Sequence, residues 1–97
     1  MYKMITKIEI DLSEWSTHYP TGATLYNGNE VVDSDWCDTV AEFKELIDRN
    51  RNLLIHAAPN ATATEVVVIF NGVDLIEYDS ALECAKEVVE YIYNIIY

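Results

Sequence analysis

Two histidines and two cysteines are the side chains best suited to nucleophilic, acid–base or metal chemistry in this chain. His56 stands within a short apolar run, and no serine, cysteine or carboxylate beside it completes a catalytic triad. His18 stands in a predicted loop beside aromatic residues. Together with Cys37 and Cys84 they would make four zinc ligands, but no two have the close spacing of a zinc motif. The sequence predicts no metal site and no cofactor.

Two other chemical motifs are incomplete. The chain has 3 glycines, and two of them stand in Asn-Gly dipeptides, so no glycine-rich phosphate-binding loop is present. Asp33, Asp35 and Asp38 have the spacing that opens a calcium-binding loop, but the glycine and the distal glutamate of that loop are missing. We therefore expect a protein that is not an enzyme.

Charge is the most unusual property of the sequence. The chain carries 17 acidic and 6 basic side chains, which gives a formal net charge of −11. A surface that binds nucleic acid directly must neutralise phosphates with basic residues, and an anionic membrane also attracts basic residues. Neither kind of partner suits this chain. A basic protein partner is favoured, and the alternative is that the charge only keeps a small protein soluble.

Much of this charge lies in two rows of carboxylates at helical spacing. At about 100° per residue, side chains at i, i+4 and i+7 share a stripe roughly 60° wide, opposite the apolar face. Successive charges are roughly 5–6 Å apart along the axis, whereas each DNA strand has a phosphate every ~3.4 Å. The rows are Asp38, Glu42 and Glu45 in one predicted helix, and Glu83, Glu87 and Glu90 in another.

The second half of the chain predicts a hairpin followed by a helix. Residues 65–70 and 73–78 are strand-like runs joined by Asn71-Gly72, a dipeptide that supplies the positive φ angles of a two-residue hairpin turn. Ser80 and Glu83 match a capping box, so we expect the helix to begin at Ser80 and to continue to the end of the apolar pattern at Ile96.

The first half predicts a similar order of elements. Residues 2–12 alternate as a half-buried strand, with Tyr2, Met4, Ile8, Ile10 and Leu12 on the buried side. Residues 13–22 form a predicted loop, and residues 23–26 and 29–32 form a second hairpin around an Asn-Gly turn. A helix follows over residues 39–49, capped by its first residue, and residues 53–57 predict a short buried strand.

These elements predict a single α+β domain over residues 1–97. The order β-ββ-α-β-ββ-α indicates two layers, a mostly antiparallel sheet with both helices on one face, and it is compatible with a weak internal duplication. No apolar run approaches the length of a membrane span, and the first residues do not form a signal peptide. We expect a cytoplasmic protein with both cysteines reduced, a disulfide between them being the alternative.

The apolar surface of the last helix is wider than one sheet requires. A second apolar row beside the main one widens the arc to roughly 200°. Either the first helix packs against this row, or the row forms the seam of a homodimer. The row consists of Cys84, Val88, Tyr91 and Ile95.

In its gross properties (size, acidity and lack of a catalytic motif) the chain resembles phage-encoded inhibitors that mimic nucleic acid, including anti-restriction and anti-CRISPR proteins. It is similar in the same sense to bacterial immunity proteins. The resemblance implies a small acidic inhibitor that occupies the basic groove of a nucleic-acid-handling protein. The alternative is a non-enzymatic structural or accessory homodimer, built through the last helix or a sheet edge. The predicted binding residues are Asp33, Asp35, Asp38, Glu42, Glu45, Glu83, Glu87 and Glu90, with Trp36 as a rim anchor.

Overall fold

The computed structural model of the chain describes residues 3–13, 21–70, 73 and 77–97. Within them, three strands are followed by a helix, a fourth strand and a second helix. A 3₁₀ turn, Arg51–Leu53, follows the first helix. The elements are β1 (Lys7–Asp11), β2 (Gly22–Asn27), β3 (Glu30–Trp36), α1 (Val40–Arg49), β4 (Glu65–Ile69) and α2 (Tyr78–Ile96).

The four strands form one sheet in the order β3-β2-β1-β4. The β1–β2 and β2–β3 pairs are antiparallel, while β1 and β4 are parallel. The predicted α+β fold with helices on one face is confirmed, although the sheet is mixed. After β3 the chain passes over one face of the sheet as α1 and returns as β4. A helical crossover of this kind joins parallel strands, so β4 runs in the same direction as β3 and β1.

The predicted hairpin in the first half of the chain is confirmed, but its turn residues are Gly28 and Asn29 instead of Asn27 and Gly28, and its second strand is longer than expected. Gly28 is the first central residue of the two-residue turn and has φ of +60°. Glycine is favoured at that position because the turn needs a positive φ there. Its backbone N–H donates to Thr6 Oγ1 at 2.9 Å, and Asn27 Nδ2 donates to the Met4 carbonyl at 2.6 Å. A bulge in the β2–β3 pairing near Leu25 accompanies the extension of β3 to Trp36.

The predicted alternation of the first strand fails before Lys7. Ile8, Ile10 and Leu12 are buried as expected, but Met4 is exposed and its neighbour Ile5 is buried in its place. The phase changes because Ile5 N–H donates to the Leu53 carbonyl at 2.8 Å, outside the regular ladder. Tyr2 lies outside the described residues.

The predicted strand over residues 53–57 is wrong. Its first residue closes the 3₁₀ turn, and Leu54 makes a single parallel bridge with Ile5. Three residues later, the backbone N–H of Ala57 donates to the carbonyl of Ile96 at 2.7 Å. The segment therefore joins the end of the last helix instead of extending the sheet.

The second predicted hairpin is confirmed only in its first strand, β4. Val66 and Val68 pack against the core, as the alternation predicts. The Asn-Gly turn at residues 71 and 72 and residues 74–76 lie outside the described residues. Tyr78, the last residue of the predicted second strand, is the first residue of α2, so the predicted strand is wrong at that position.

The predicted cap at Ser80 is also wrong. Helix α2 begins two residues earlier, with Glu77 at the N-cap position and no capping bond from its side chain. The backbone N–H of Ala81 donates to the Glu77 carbonyl at 3.0 Å, and the Tyr78 ring packs 5.6 Å from that of Phe70. These contacts extend the helix beyond the capping pattern. In α1, by contrast, Thr39 caps the helix as predicted, its Oγ1 accepting from the Glu42 N–H at 3.2 Å.

Both helices run in the same direction. Helix α1 follows the end of β3, and the Ile5–Leu54 bridge places the segment after it near the start of β1. Helix α2 begins beside Phe70, just after β4, and Ile96 at its other end bonds to Ala57, in the segment that precedes β4. Because β1, β3 and β4 are parallel, both helices run antiparallel to them.

The wide apolar surface of α2 is used inside the chain. Cys84, Val88 and Ile95 are buried members of the core, and Tyr91 is half-buried. The Tyr91 hydroxyl donates to Asp48 of α1. The first of the two sequence interpretations, packing of the first helix against this row, is the one that the structure contains. Three of the four residues of the row are thus buried within the single chain. Among the described helices, none has the length and apolar character needed to cross a bilayer.

Replacing Val88 by glutamate should unfold the protein or lower its free energy of unfolding by roughly 3 kcal/mol or more, because the site is 1% exposed and would bury an unpaired carboxylate. Val31→Glu is the matched control, since Val31 is 54% exposed, and it should change stability by less than about 0.5 kcal/mol. Urea denaturation followed by circular dichroism measures both. A folded Val88→Glu protein with unchanged stability would contradict the packing described.

Candidate partner-binding surface

The residues suited to metal or nucleophilic chemistry do not converge in the described structure. No group of three or more histidine, cysteine, aspartate or glutamate side chains there could hold a metal ion. His56 is exposed, and His18 lies outside the described residues. Cys37 and Cys84 are free, buried thiols. Burial raises the pKa of Cys37 to about 12 and that of Cys84 to about 11, so both stay protonated and weakly nucleophilic at neutral pH.

Every basic side chain of the protein is engaged within the chain. Four of the six pair with a single carboxylate within 4.0 Å, and Arg49 pairs with two. The sixth, Lys44, lies 5.1 Å from the centre of the Tyr91 ring, a cation–π contact. The single pairs are Lys3–Glu30, Lys7–Glu9, Arg51–Asp48 and Lys86–Glu83.

Arg49 binds both aspartates of β3 that face the helical layer. Its Nε and Nη2 donate to the two oxygens of Asp33 at 2.8 and 3.1 Å, and its Nη1 donates to Asp35 Oδ2 at 3.1 Å. Asn50 adds a bond from Nδ2 to Asp33 Oδ2 at 2.8 Å. Hydrogen bonding to Arg49 is the largest of the effects that hold the pKa of Asp33 below its ordinary value. Asp33 and Asp35 therefore serve an internal contact that fastens the end of α1 to the edge strand.

The carboxylates of the α1 row remain unpaired. Asp38, Glu42 and Glu45 are exposed, and no described cation lies within 4.0 Å of them. Glu42 also takes part in the helix cap, since Thr39 Oγ1 lies 3.4 Å from its Oε1. Asp38 and Glu45 have no such structural contact among the described hydrogen bonds.

The α2 row is similar, with one weak exception. Glu83 lies 4.0 Å from Lys86, and both side chains are well exposed, so this pair contributes little. Glu87 and Glu90 are exposed and have no ion-pair partner among the described residues. The last turn of α2 contains no basic residue, so Glu90 lies toward the negative end of the helix dipole without local compensation.

The two rows face outward on the same layer, but they do not meet. Tyr91 contacts Lys44 and Asp48, which identifies the flank of α1 that faces α2. At 100° per residue, Glu42 lies about 160° around the α1 axis from Lys44. Glu87 lies about 40° from Tyr91 on α2. The α1 row thus lies toward the β3 edge, and the α2 row lies beside the contact between the helices.

Trp36 lies on the other side of the sheet from both rows. Trp36 is 70% exposed. Together with Glu9 and Asp11 it lines an open concavity of about 340 Å³ on the face of the sheet opposite the helices. The sequence pattern places Glu9 and Asp11 on the polar side of β1, but their position opposite Trp36 depends on strand register. That register could not be read from the sequence alone.

Comparison with known proteins assigns no family: no family model, no curated protein and no solved structure matches this chain.

Replacing Arg49 by glutamine should lower the free energy of unfolding by about 1–2 kcal/mol, because it leaves Asp33 with less compensation at a half-buried site. Arg51→Gln is the matched control and should cost less than about 0.5 kcal/mol, since its pair with Asp48 is long (3.8 Å) and exposed. Equal effects of the two variants on urea denaturation would contradict a special role for Arg49.

The same contact predicts a pH dependence. Because the pKa of Asp33 is lower in the folded state than its ordinary value of 3.8, its stabilising contribution is present above about pH 4 and is lost as the pH falls through the folded value. Between pH 5 and pH 2 the unmodified protein should therefore lose more stability than Asp33→Asn. Parallel stability curves for the two proteins would contradict this.

Proposed function

We propose that this protein is a small acidic inhibitor that binds the basic, nucleic-acid-binding surface of another protein through the carboxylates of its helical layer. The observation that carries the proposal is the distribution of charge. All six basic side chains are engaged within the chain, while exposed carboxylates on both helices have no cation of the described residues within 4.0 Å. These carboxylates are Asp38, Glu42, Glu45, Glu87 and Glu90.

Two physical arguments favour a basic partner over mere solubility. A soluble helix needs polar residues on its wet face, but it does not need them to have one sign. Like charges one turn apart on a helix repel each other, and the last turn of α2 contains no basic residue that would interact favourably with the dipole. Such a surface attracts lysine and arginine over a distance and accelerates association with a basic groove.

The geometry refines the set of binding residues. Asp33 and Asp35 share the single positive charge of Arg49, so they contribute less to the outward charge than the helical rows do. Trp36 lies on the opposite face of the sheet and would not touch a partner seated on the helices. The proposed surface therefore consists of the helical rows. Occupying a basic groove there would exclude nucleic acid by competition, and no catalytic step is assigned to the protein.

A homodimer is the less favoured proposal. Most of the apolar row of α2 is buried in the chain, and the described sheet has two outer strands, β3 and β4. The β3 edge contains a bulge, and Asp33 and Asp35 point inward from it. Both features are ways in which proteins prevent edge-to-edge pairing.

Charge reversal on α2 tests the proposed surface. Glu87→Lys with Glu90→Lys should preserve folding, because neither side chain has a described ion pair and a lysine near the end of α2 suits the helix dipole. The double variant should bind the partner at least tenfold more weakly, since each reversed charge would face a lysine or arginine. Glu42 and Glu83 are less suitable, because they contact Thr39 and Lys86.

The partner is obtained by capture from lysate of the organism that encodes the protein, at low salt, and its identity is established. The purified partner should bind duplex DNA or RNA in a gel-shift assay, and this protein should displace the nucleic acid. Glu65→Lys is the control for Glu87→Lys alone, because it makes the same change in net charge at an exposed carboxylate of the sheet that has no ion pair among the described residues. If Glu65→Lys and Glu87→Lys compete equally well, or if the captured partner does not bind nucleic acid, the proposal fails.

A further inference from the structure

The sheet face opposite the helices contains a concavity that the helical rows do not explain. It has a volume of about 340 Å³ and is open to solvent. Its lining includes residues from β1, β2 and β3 whose side chains alternate away from the core. Because these positions lie on paired strands, their spacing is fixed by the sheet and not by loop conformation.

Strand register arranges the lining in two rows across the sheet. In the first row, Glu9 is opposite Thr24, and Thr24 is opposite Ser34. In the second row, Asp11 is opposite Gly22, and Gly22 is opposite Trp36. Gly22 thus separates a carboxylate from an indole. These two positions lie roughly 10 Å apart, because neighbouring strands are 4.7–4.9 Å apart.

The middle position must be a glycine. A Cβ atom at Gly22 would lie 2.6 Å from the carbonyl oxygen of Asp35, closer than real Cβ contacts, and 3.5 Å from Cε3 of Trp36. Covering a strand glycine is a structural role that an aromatic neighbour often has. It accounts for only one edge of the indole, because Trp36 is still 70% exposed. A large aromatic surface therefore faces solvent at the rim of the concavity.

The concavity is negatively charged. Asp11 accepts bonds only from Ser13 among the described residues, from its backbone N–H at 2.9 Å and from its hydroxyl at 2.5 Å, and it has no described cation partner. Glu9 has one long pair, with Lys7 at 3.8 Å, and the Lys7 ammonium lies 4.7 Å from the centre of the Tyr26 ring. None of the described lining residues is basic.

We infer that this concavity binds an arginine side chain of a basic protein partner. A guanidinium group is planar, so it can stack on an indole while its N–H groups donate to a carboxylate. Trp36 and Asp11 offer these two groups on either side of Gly22, and Thr24 and Ser34 supply hydroxyl acceptors beside them. Lysine carries the same charge but lacks the plane that stacks. The inference does not rest on the proposed function, since it uses the opposite face of the sheet.

Hydrogen bonds within the protein fix the end of the concavity next to Gly22 and Trp36. The backbone N–H of Cys37 donates to the carbonyl of Thr21 at 2.7 Å, and the Thr21 hydroxyl donates back to the Cys37 carbonyl. Both residues are buried. The start of β2 and the end of β3 are therefore held together next to Trp36. This limits the conformational entropy that the site loses on binding.

The test is an NMR titration of the full, ¹⁵N-labelled chain with the peptide acetyl-Gly-Arg-Gly-amide at constant ionic strength. Shifts should concentrate at the backbone amides of Gly22, Thr24 and Ser34 and at the Trp36 indole N–H. The matched lysine peptide should bind more weakly, and the neutral citrulline peptide should cause no shift at these positions.

Variants assign the binding to the proposed groups. Asp11→Asn retains an oxygen acceptor for Ser13 and should weaken arginine-peptide binding roughly two- to fivefold. Trp36→Leu should weaken it by a similar factor through loss of the cation–π contact. Asp79→Asn is the control, because it removes one exposed charge at the start of α2, away from the sheet face. It should leave binding unchanged.

Three results would overturn the inference: no shift at these positions, equal binding of the arginine and lysine peptides, or shifts centred on the carboxylate rows of α1 and α2. Equal affinities of Asp11→Asn, Trp36→Leu and Asp79→Asn would also overturn it. Competition with nucleic acid by the helical layer is measured in a separate assay, so the two proposals fail separately.

Discussion

The protein has 6 basic and 17 acidic side chains, and all six basic side chains form ion pairs or a cation–π contact within the chain. Arg49 has the largest share, because it joins α1 to two aspartates of the edge strand. Lys44 lies against Tyr91, where the two helices meet. Arg49 and Lys44 thus serve contacts between layers and between helices, and the other four cations pair with nearby carboxylates. The remaining exposed carboxylates of the two helices have no cation partner among the described residues, so they leave the outer surface of the helices negatively charged.

The two faces of the protein consequently offer different features to a partner. The helical layer has rows of carboxylates on rigid helices, which suit an extended basic surface. The opposite sheet face combines a carboxylate with an exposed indole across Gly22, which suits a single planar cation. In the two proposals, the helical layer would bind lysine- or arginine-rich surfaces and the sheet face would bind arginine. Both surfaces lie on helices or paired strands.

Local signals in the sequence identify much of the fold. Helical periodicity and the Thr39 cap locate α1, and the Asn-Gly dipeptide locates the first hairpin, because each depends on neighbours within a few residues. The single bridge at Leu54 and the early start of α2 are not local. Leu54 contacts Ile5, which is distant in sequence, and Tyr78 contacts Phe70, which lies outside the helix just after β4; these contacts override the local pattern.

The candidate binding surfaces likewise combine features that the sequence predicts with features that it does not predict. The exposed carboxylates of both helices follow from periodicity alone, so Glu45 and Glu87 could be predicted as exposed. The pairing of Asp33 and Asp35 with Arg49 could not be predicted, because it requires the bulged register of β3 and the position of α1 over the sheet. The concavity beside Trp36 likewise requires the register of three strands.

The most direct test of the account is the free energy of unfolding as a function of sodium chloride concentration. If the helical carboxylates are uncompensated, salt should stabilise the protein by screening their repulsion, since the Debye length falls from about 10 Å at 0.1 M to about 3 Å at 1 M. Glu87→Gln should be more stable at low salt and respond less to added salt, whereas Glu65→Gln, which removes an exposed carboxylate of the sheet without a described ion pair, should respond more nearly as the unmodified protein does. A stability that is constant or falls with salt, or equal salt responses in all three proteins, would contradict the account.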